Sequence, residues 1–340
     1  MGYIIIGAGA VGGTIGGCLH QAGFEVVLVA RGRHLAALRS EGLRLATPSG
    51  VSTLQIEAVG SADEVELRPD DVLIVAAKTQ DVAAIFSDWA WQPVHGGSVA
   101  ADTLPVLCAQ NGVASERIAL RLFRNVYGVC VWLPATHLEP GVVEANGTPL
   151  AGQLPIGRYP TGIDPVVERV TEDLASARFL APAETDVMRW KYGKLLSNMG
   201  NAIEVLCGPI AQLGDDGKEL GRRAVAEAKS VFEAAGIGWA SNKESAAMRG
   251  DHVRVEPVNG SPRGGGSSWQ SVVRGTGSVE ADYLNGEVAL LGREHDVATP
   301  VNEVLQRLAN QAVRDGVAPG SVTPAEVLAR AVHWIASRDA

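Results

Sequence analysis

The chain has 340 residues, with 29 Lys and Arg against 38 Asp and Glu for a net charge of -9. That length accommodates two domains with cores of their own, and an acidic balance with no basic stripe argues against a nucleic-acid or anionic-membrane partner. The four cysteines, Cys18, Cys108, Cys130 and Cys207, show no paired spacing and no nearby histidine pairs. They read as buried free thiols in a reducing compartment, and no metal is expected.

The chain opens on an apolar strand, Tyr3 to Ile6, that runs into Gly7-Ala8-Gly9-Ala10-Val11-Gly12 and an amphipathic helix carrying Val11, Ile15 and Leu19. Strand, G-x-G-x-x-G and helix together make a dinucleotide-binding turn. Gly7 permits the tight turn, Gly9 admits a pyrophosphate, and Gly12 allows close helix packing, with the phosphates resting on the positive end of the helix. A second strand, Glu25 to Ala30, arrives at βαβ spacing and is followed by Arg31, Gly32 and Arg33, with no carboxylate until Glu41. An acid there would accept the ribose hydroxyls of NAD, whereas arginine can clasp a 2′-phosphate, so the expected cofactor is NADP(H) with Arg31 as the principal contact. Arg33 is a second candidate.

A helix follows from Leu35 to Gly42, then short alternating segments around Leu43–Leu45 and Val51–Ile56. The apolar runs Asp71–Ala77, Pro105–Ala109 and Val126–Trp132 are typical of parallel strands buried on both faces. Ligands bind beyond the carboxyl ends of such strands, where Lys78, Gln80, Gln110 and Asn111 stand. Gly141–Ala145 and Gly152–Gly157 read as strands of a peripheral extension, and Pro165–Ala175 as its returning helix.

From Thr185 the period changes to helical, through Val187–Met199, Leu220–Ala235, Glu280–Glu294 and Thr299–Val313. The expected organisation is an N-terminal doubly wound Rossmann domain over 1–183 and an all-helical domain over 184–340. The glycine-rich stretch Asn259–Gly266 reads as an ordered loop carrying Ser267 and Ser268 toward the cleft, or else as a mobile lid.

Hydride transfer to a carbonyl needs an acid for the oxygen that gains charge. His20, His95, His137, His252 and His295 stand in settings that suggest packing or surface roles. Lysine is the better candidate, because Trp190–Asn198 places Lys191, Lys194 and Asn198 at i, i+3 and i+7 on one face of an otherwise apolar helix.

The glycine turn, Lys78, Gln110-Asn111-Gly112, the Trp190–Asn198 helix, the run from Ser267 through Glu280 to Asn285-Gly286, and Thr299-Pro300-Val301-Asn302 together resemble the ketopantoate reductase (2-dehydropantoate 2-reductase) family over nearly the whole chain. The resemblance implies NADPH-dependent reduction of a 2-oxo acid in the pathway to pantothenate. Lys194 matches the family's general acid and Glu280 the acid that interacts with it. Asn111 matches the amide near nicotinamide and substrate, Lys78 a lysine at the cofactor junction, and Asn198 and Ser268 the groups that hold the substrate.

The chain also departs from the family pattern. Ala202 stands where a second asparagine is usual, with Asn201 one position earlier, a rotation of about 100° on a helix. Leu206–Ile210 lacks an asparagine expected for the distal hydroxyl of ketopantoate, and Gln270-Ser271 replaces a common Gln-Asp. Asn201 is therefore carried as a substrate-side candidate, and a different 2-oxo acid is the alternative substrate. A non-catalytic NADPH sensor is the alternative of another class. With no run of about twenty apolar residues and no basic leader, a soluble cytoplasmic protein is expected. Its partner is a small 2-oxo acid, and pairing of apolar helical faces into a homodimer is open.

Overall fold

The computed structural model describes residues 2–260, 265–275 and 278–336. Two compact units emerge, Met1–Lys191 with Ala240–Arg263, and Tyr192–Trp239 with Gly264–Ala340. The chain therefore passes between units three times, where the sequence suggested a single passage near residue 183. The segment that returns to the first unit is held there by pairing: Val253–Val255 runs antiparallel to Gly147–Pro149. A helix over Asn242–Arg249, opened by a Ser241–Glu244 capping box, ties back through the Arg189–Glu244 ion pair at 2.6 Å. A three-residue strand inside a polar stretch has too few alternations to be seen by period alone.

The first unit is built on a seven-stranded sheet. In chain order its strands are β1 (Gly2–Ile6), β2 (Glu25–Val29), β3 (Glu57–Val59), β4 (Val72–Val75), β5 (Pro105–Cys108), β6 (Asn125–Val129) and β7 (Ile156–Arg158). The spatial order is β3-β2-β1-β4-β5-β6-β7, parallel except for the antiparallel β7. The order reverses between β1 and β4, which is the topological switch point of a doubly wound sheet. Both faces are covered, so alternate residues feed separate cores: Tyr3, Ile5, Leu28, Ile74 and Leu107 on one side, Ile4, Ile6, Leu73, Val75 and Val106 on the other. This two-sided burial explains the continuous apolar runs.

The expected peripheral extension divides in two. Val142–Ala145 joins a separate four-stranded sheet beside Leu43–Thr47, while Ile156–Arg158 becomes β7 of the main sheet. A short β7 beside buried β6 gains ladder hydrogen bonds that sequence period does not reveal.

The second unit is helical, with helices over Asn201–Cys207, Gly214–Ala234, Ser267–Val273, Asn285–Glu294, Pro300–Arg314 and Pro324–Ala336. The expected helix from Glu280 begins at Asn285 instead. Glu280–Tyr283 is a 3-10 turn, and Leu284, with φ -112 and ψ -85, lies outside helical space. The family motifs Asn285-Gly286 and Val301-Asn302 meet here as structure. Fully buried Asn302 donates to the Ala224 carbonyl at 2.9 Å and to Glu227 at 2.8 Å, and accepts from Asn285 at 2.9 Å.

Glu227 in turn accepts the Val301 and Asn302 amides at 2.9 and 3.0 Å, satisfying the first N–H groups of the 300–314 helix. Burial raises the Glu227 carboxyl above its ordinary value, and these bonds partly offset that. Asn302→Ala leaves buried donors and acceptors unpaired and is expected to cost about 2–3 kcal/mol in denaturant unfolding.

Candidate functional site

In the first unit the glycine turn is locked from below. The Gly7 and Ala8 amides both donate to the Val29 carbonyl at 3.1 Å, tying the turn to the end of β2. Gly7 has φ +101, and a Cβ there would stand 2.7 Å from the Ala77 nitrogen; a Cβ on Gly12 would stand 2.1 Å from the Gly7 carbonyl oxygen. Only glycine fits either place.

Gly9 is different. A Cβ there would find no protein atom nearer than His137 Cδ2 at 3.9 Å, so this face of the turn is open. The helix Ala10–Gln21 that starts on Gly9 has no side-chain cap and no acidic residue in its first turn. Its free amides, offered by Ala10, Val11 and Gly12, suit a pyrophosphate.

Arg31 and Arg33 are exposed at the end of β2, where the helix Gly32–Glu41 begins. That helix is fastened to the glycine turn by His34, a residue sequence reading passed over. The Gly141 amide donates to His34 Nδ1 at 2.9 Å, so the ring proton sits on Nε2 and is donated to the Ala8 carbonyl at 2.8 Å. The His137 ring packs against His34 at 4.3 Å between centroids, the two planes tilted by 49°. The residues present therefore fit a dinucleotide, with arginine rather than a carboxylate where a 2′-phosphate would lie.

At the ends of β4 and β5 the chain brings Lys78 and Asn111 into neighbouring loops. Lys78 is half-buried and begins a 3-10 turn; Thr79 Oγ1 donates to the Asn111 carbonyl at 3.1 Å. Gln110 Nε2 donates to the Val75 carbonyl at 2.5 Å. Beneath them lies a fully buried ion pair. Lys191 donates to Glu116 Oε1 and to the carbonyls of Cys108 at 3.3 Å and Gln110 at 3.2 Å. Lys191 thus differs from its expected neighbours on one helical face: it is a structural cation at the β5 end. Its signal in the sequence was a charge on the apolar side of the helix, but its partner Glu116 lies 75 residues away.

In the second unit Lys194 and Asn198 lie one turn apart on the helix Val187–Asn198. Lys194 is half-buried, while Asn198 is 4% exposed and its Nδ2 has no hydrogen-bond partner among the described residues. A buried amide left unpaired by the protein is costly unless a ligand or water meets it. Ser268, 4% exposed, is the second residue of the helix Ser267–Val273, and Glu280 is 7% exposed at the start of its 3-10 turn.

Asn201 opens the helix Asn201–Cys207, and its Oδ1 lies 3.6 Å from where a Cβ of Gly266 would stand, which puts it beside the Ser268 segment. Ala202 is instead turned into the core at 2% exposure. Glu204, which accepts the Gly266 amide at 2.9 Å, is a further carboxylate at this segment that sequence reading did not single out. The loop from Asn259 to Gly266 falls partly on residues 261–264, which lie outside the described residues.

All four cysteines are buried and free. No helix among the described residues is long and apolar enough to cross a membrane, and none of their His, Cys, Asp and Glu side chains group as a metal site.

A Rossmann sheet with an open glycine turn, followed by a helical unit bearing a lysine and a buried amide, defines the class of dinucleotide-dependent oxidoreductases. The family model for ketopantoate reductase PanE/ApbA matches residues 3–161, and that for its C terminal region matches residues 186–313. The chain is 30% identical over 313 residues to a 2-dehydropantoate 2-reductase of Mycobacterium tuberculosis, covering 89% of this chain and 95% of the relative. Among solved structures, a ketopantoate reductase of Ralstonia eutropha is similar with a TM-score of 0.73 and 26% identity, covering 93% of this chain and 99% of that one. D-mandelate dehydrogenase, solved with NADH and anilino(oxo)acetate, shares the fold with a TM-score of 0.77 at 23% identity, over 93% of this chain and 99% of that one. The chain belongs to the ketopantoate reductase family and is an oxidoreductase.

Proposed function

We propose that this protein reduces a 2-oxo acid to the 2-hydroxy acid with NADPH, and that 2-dehydropantoate is the substrate. The observation that carries the reading is the presence on one helix of Lys194 and Asn198, whose buried Nδ2 has no partner among the described residues. When bound, the nicotinamide supplies the hydride. Lys194 Nζ holds the proton and gives it to the substrate's carbonyl oxygen as negative charge accumulates there. Glu280, in the same unit, takes the role of orienting the lysine. Asn198, Asn201 and Ser268 hold the substrate's carboxylate and hydroxyl groups, and Lys78 and Asn111 fix the reacting end of the cofactor.

Alanine at 202 and the absence of an asparagine in Leu206–Ile210 favour a second reading, in which the preferred 2-oxo acid is bulkier or less hydroxylated than ketopantoate. The test is coenzyme oxidation by the purified protein with 2-dehydropantoate, pyruvate and benzoylformate, each with NADPH and NADH. The primary reading expects the highest kcat/KM with 2-dehydropantoate and NADPH; a higher value with benzoylformate selects the second. Arg31→Ala is expected to raise KM for NADPH by about 10- to 100-fold, the worth of one charge-assisted phosphate contact. The KM for NADH should barely move, and an equal effect on both coenzymes would remove Arg31 from its role.

A further inference from the structure

Lys191 and Glu116 are 2% and 0% exposed, a complete ion pair taken out of water. Charges buried this way are generally no more stabilising than an apolar pair of the same volume. Stability is an especially poor explanation here, because Glu116 Oε2 and the adjacent Ser115 Oγ have no hydrogen-bond partner among the described residues. What the ammonium does is geometric. Its three donors go to Glu116 and to the carbonyls of Cys108 and Gln110, the last residue of β5 and the residue just before Asn111.

From there the bracing continues. Gln110 reaches across to the Val75 carbonyl at the end of β4, the Ala109 amide also donates to Val75, and Thr79 holds the Asn111 carbonyl. Asn111 is therefore suspended between a buried cation on one side and the Lys78–Thr79 loop on the other. An ammonium can hold two carbonyls and a carboxylate at once, whereas no apolar side chain can.

We propose that the Lys191–Glu116 pair is a positioning device that sets the Gln110-Asn111-Gly112 loop for the reaction, with neither residue touching substrate or cofactor. The kinetic part rests on the proposed function; the structural part does not. The test is the double variant Lys191→Met, Glu116→Leu, which removes both charges together and so leaves neither one orphaned. The double variant is expected to fold and to bind NADPH no more than about tenfold weaker than wild type by fluorescence titration, because the glycine turn and Arg31 are untouched and only the Asn111 contact shifts.

Hydrogen exchange of the 109–113 amides, Ala109 above all, should accelerate at least about tenfold while β1 stays protected. With 2-dehydropantoate, kcat should fall about 10- to 100-fold with little change in KM, as expected for misplaced groups near the reacting atoms. Unchanged exchange over 109–113 in the folded double variant would overturn the proposal, whatever the activity. Absence of turnover in wild type would instead defeat the proposed function and leave the exchange result to decide the positioning role. Should the double variant fail to fold, Glu116→Gln takes its place. Without the charge that holds the ammonium against the Cys108 and Gln110 carbonyls, exchange over 109–113 should accelerate at least about threefold, and wild-type exchange there would overturn the proposal.

Discussion

Replacing Lys194 by alanine is expected to lower kcat by about 10²- to 10⁴-fold, the range removed when a positioned proton donor is lost. NADPH affinity, measured by fluorescence titration, should stay within about threefold of wild type. The coenzyme-binding residues proposed here, the glycine turn, Arg31, Lys78 and Asn111, all remain in the variant. Folding should survive as well. Lys194 is half-buried, the helix is anchored by buried Leu195 and Leu196, and alanine is the better helix former. Stopped-flow single turnovers would separate chemistry from product release. Near-normal single-turnover rates in the alanine variant would take the lysine out of the reaction.

Gly12→Ala should damage the coenzyme turn severely. Its Cβ would lie 2.1 Å from the Gly7 carbonyl oxygen and 2.9 Å from Ile5 Cγ2. A backbone oxygen cannot swing aside as a side-chain end can, so either the helix lifts from β1 or the turn opens. Overpacking of this kind costs about 1–3 kcal/mol, and the distorted turn should weaken NADPH binding by at least about 100-fold. Gly9→Ala supplies the matched control. Its nearest protein contact would be 3.9 Å away and its φ of -71 is ordinary for alanine, so thermal stability should be unchanged. NADPH binding should still fall, because the added methyl occupies the face on which the phosphates rest. Wild-type affinity in the Gly9 variant would mean that the phosphates lie elsewhere.

The coenzyme half of the site was legible because it is local. Gly7, Gly9, Gly12 and Arg31 lie within one βαβ step; backbone geometry demands glycine at 7 and 12, while Gly9 and Arg31 answer to the phosphates of the proposed coenzyme. The parallel strands were legible for a similar reason, since burial on both faces writes a continuous apolar run into the chain. Other features were not legible, and they share a cause. His34 is an unremarkable helix residue until Gly141, 107 positions later, donates to its ring. Lys191 looks like one more charge on a lysine-bearing helix until Glu116 and the β5 carbonyls surround it. Asn201 is one residue out of the family register, yet it stands beside Gly266, because it opens its helix.

Sequence alone determined the doubly wound sheet, the dinucleotide turn, the arginine in place of a carboxylate, and the lysine-bearing helix. Each rests on periodicity or on steric rules that act over a few neighbouring residues. Tertiary structure decided the return of residues 240–263 to the first unit, the membership of β7 in the main sheet, the break at Leu284 and the buried Lys191–Glu116 pair. These depend on contacts between segments far apart in the chain, whose free energy appears only when burial removes water from both partners at once.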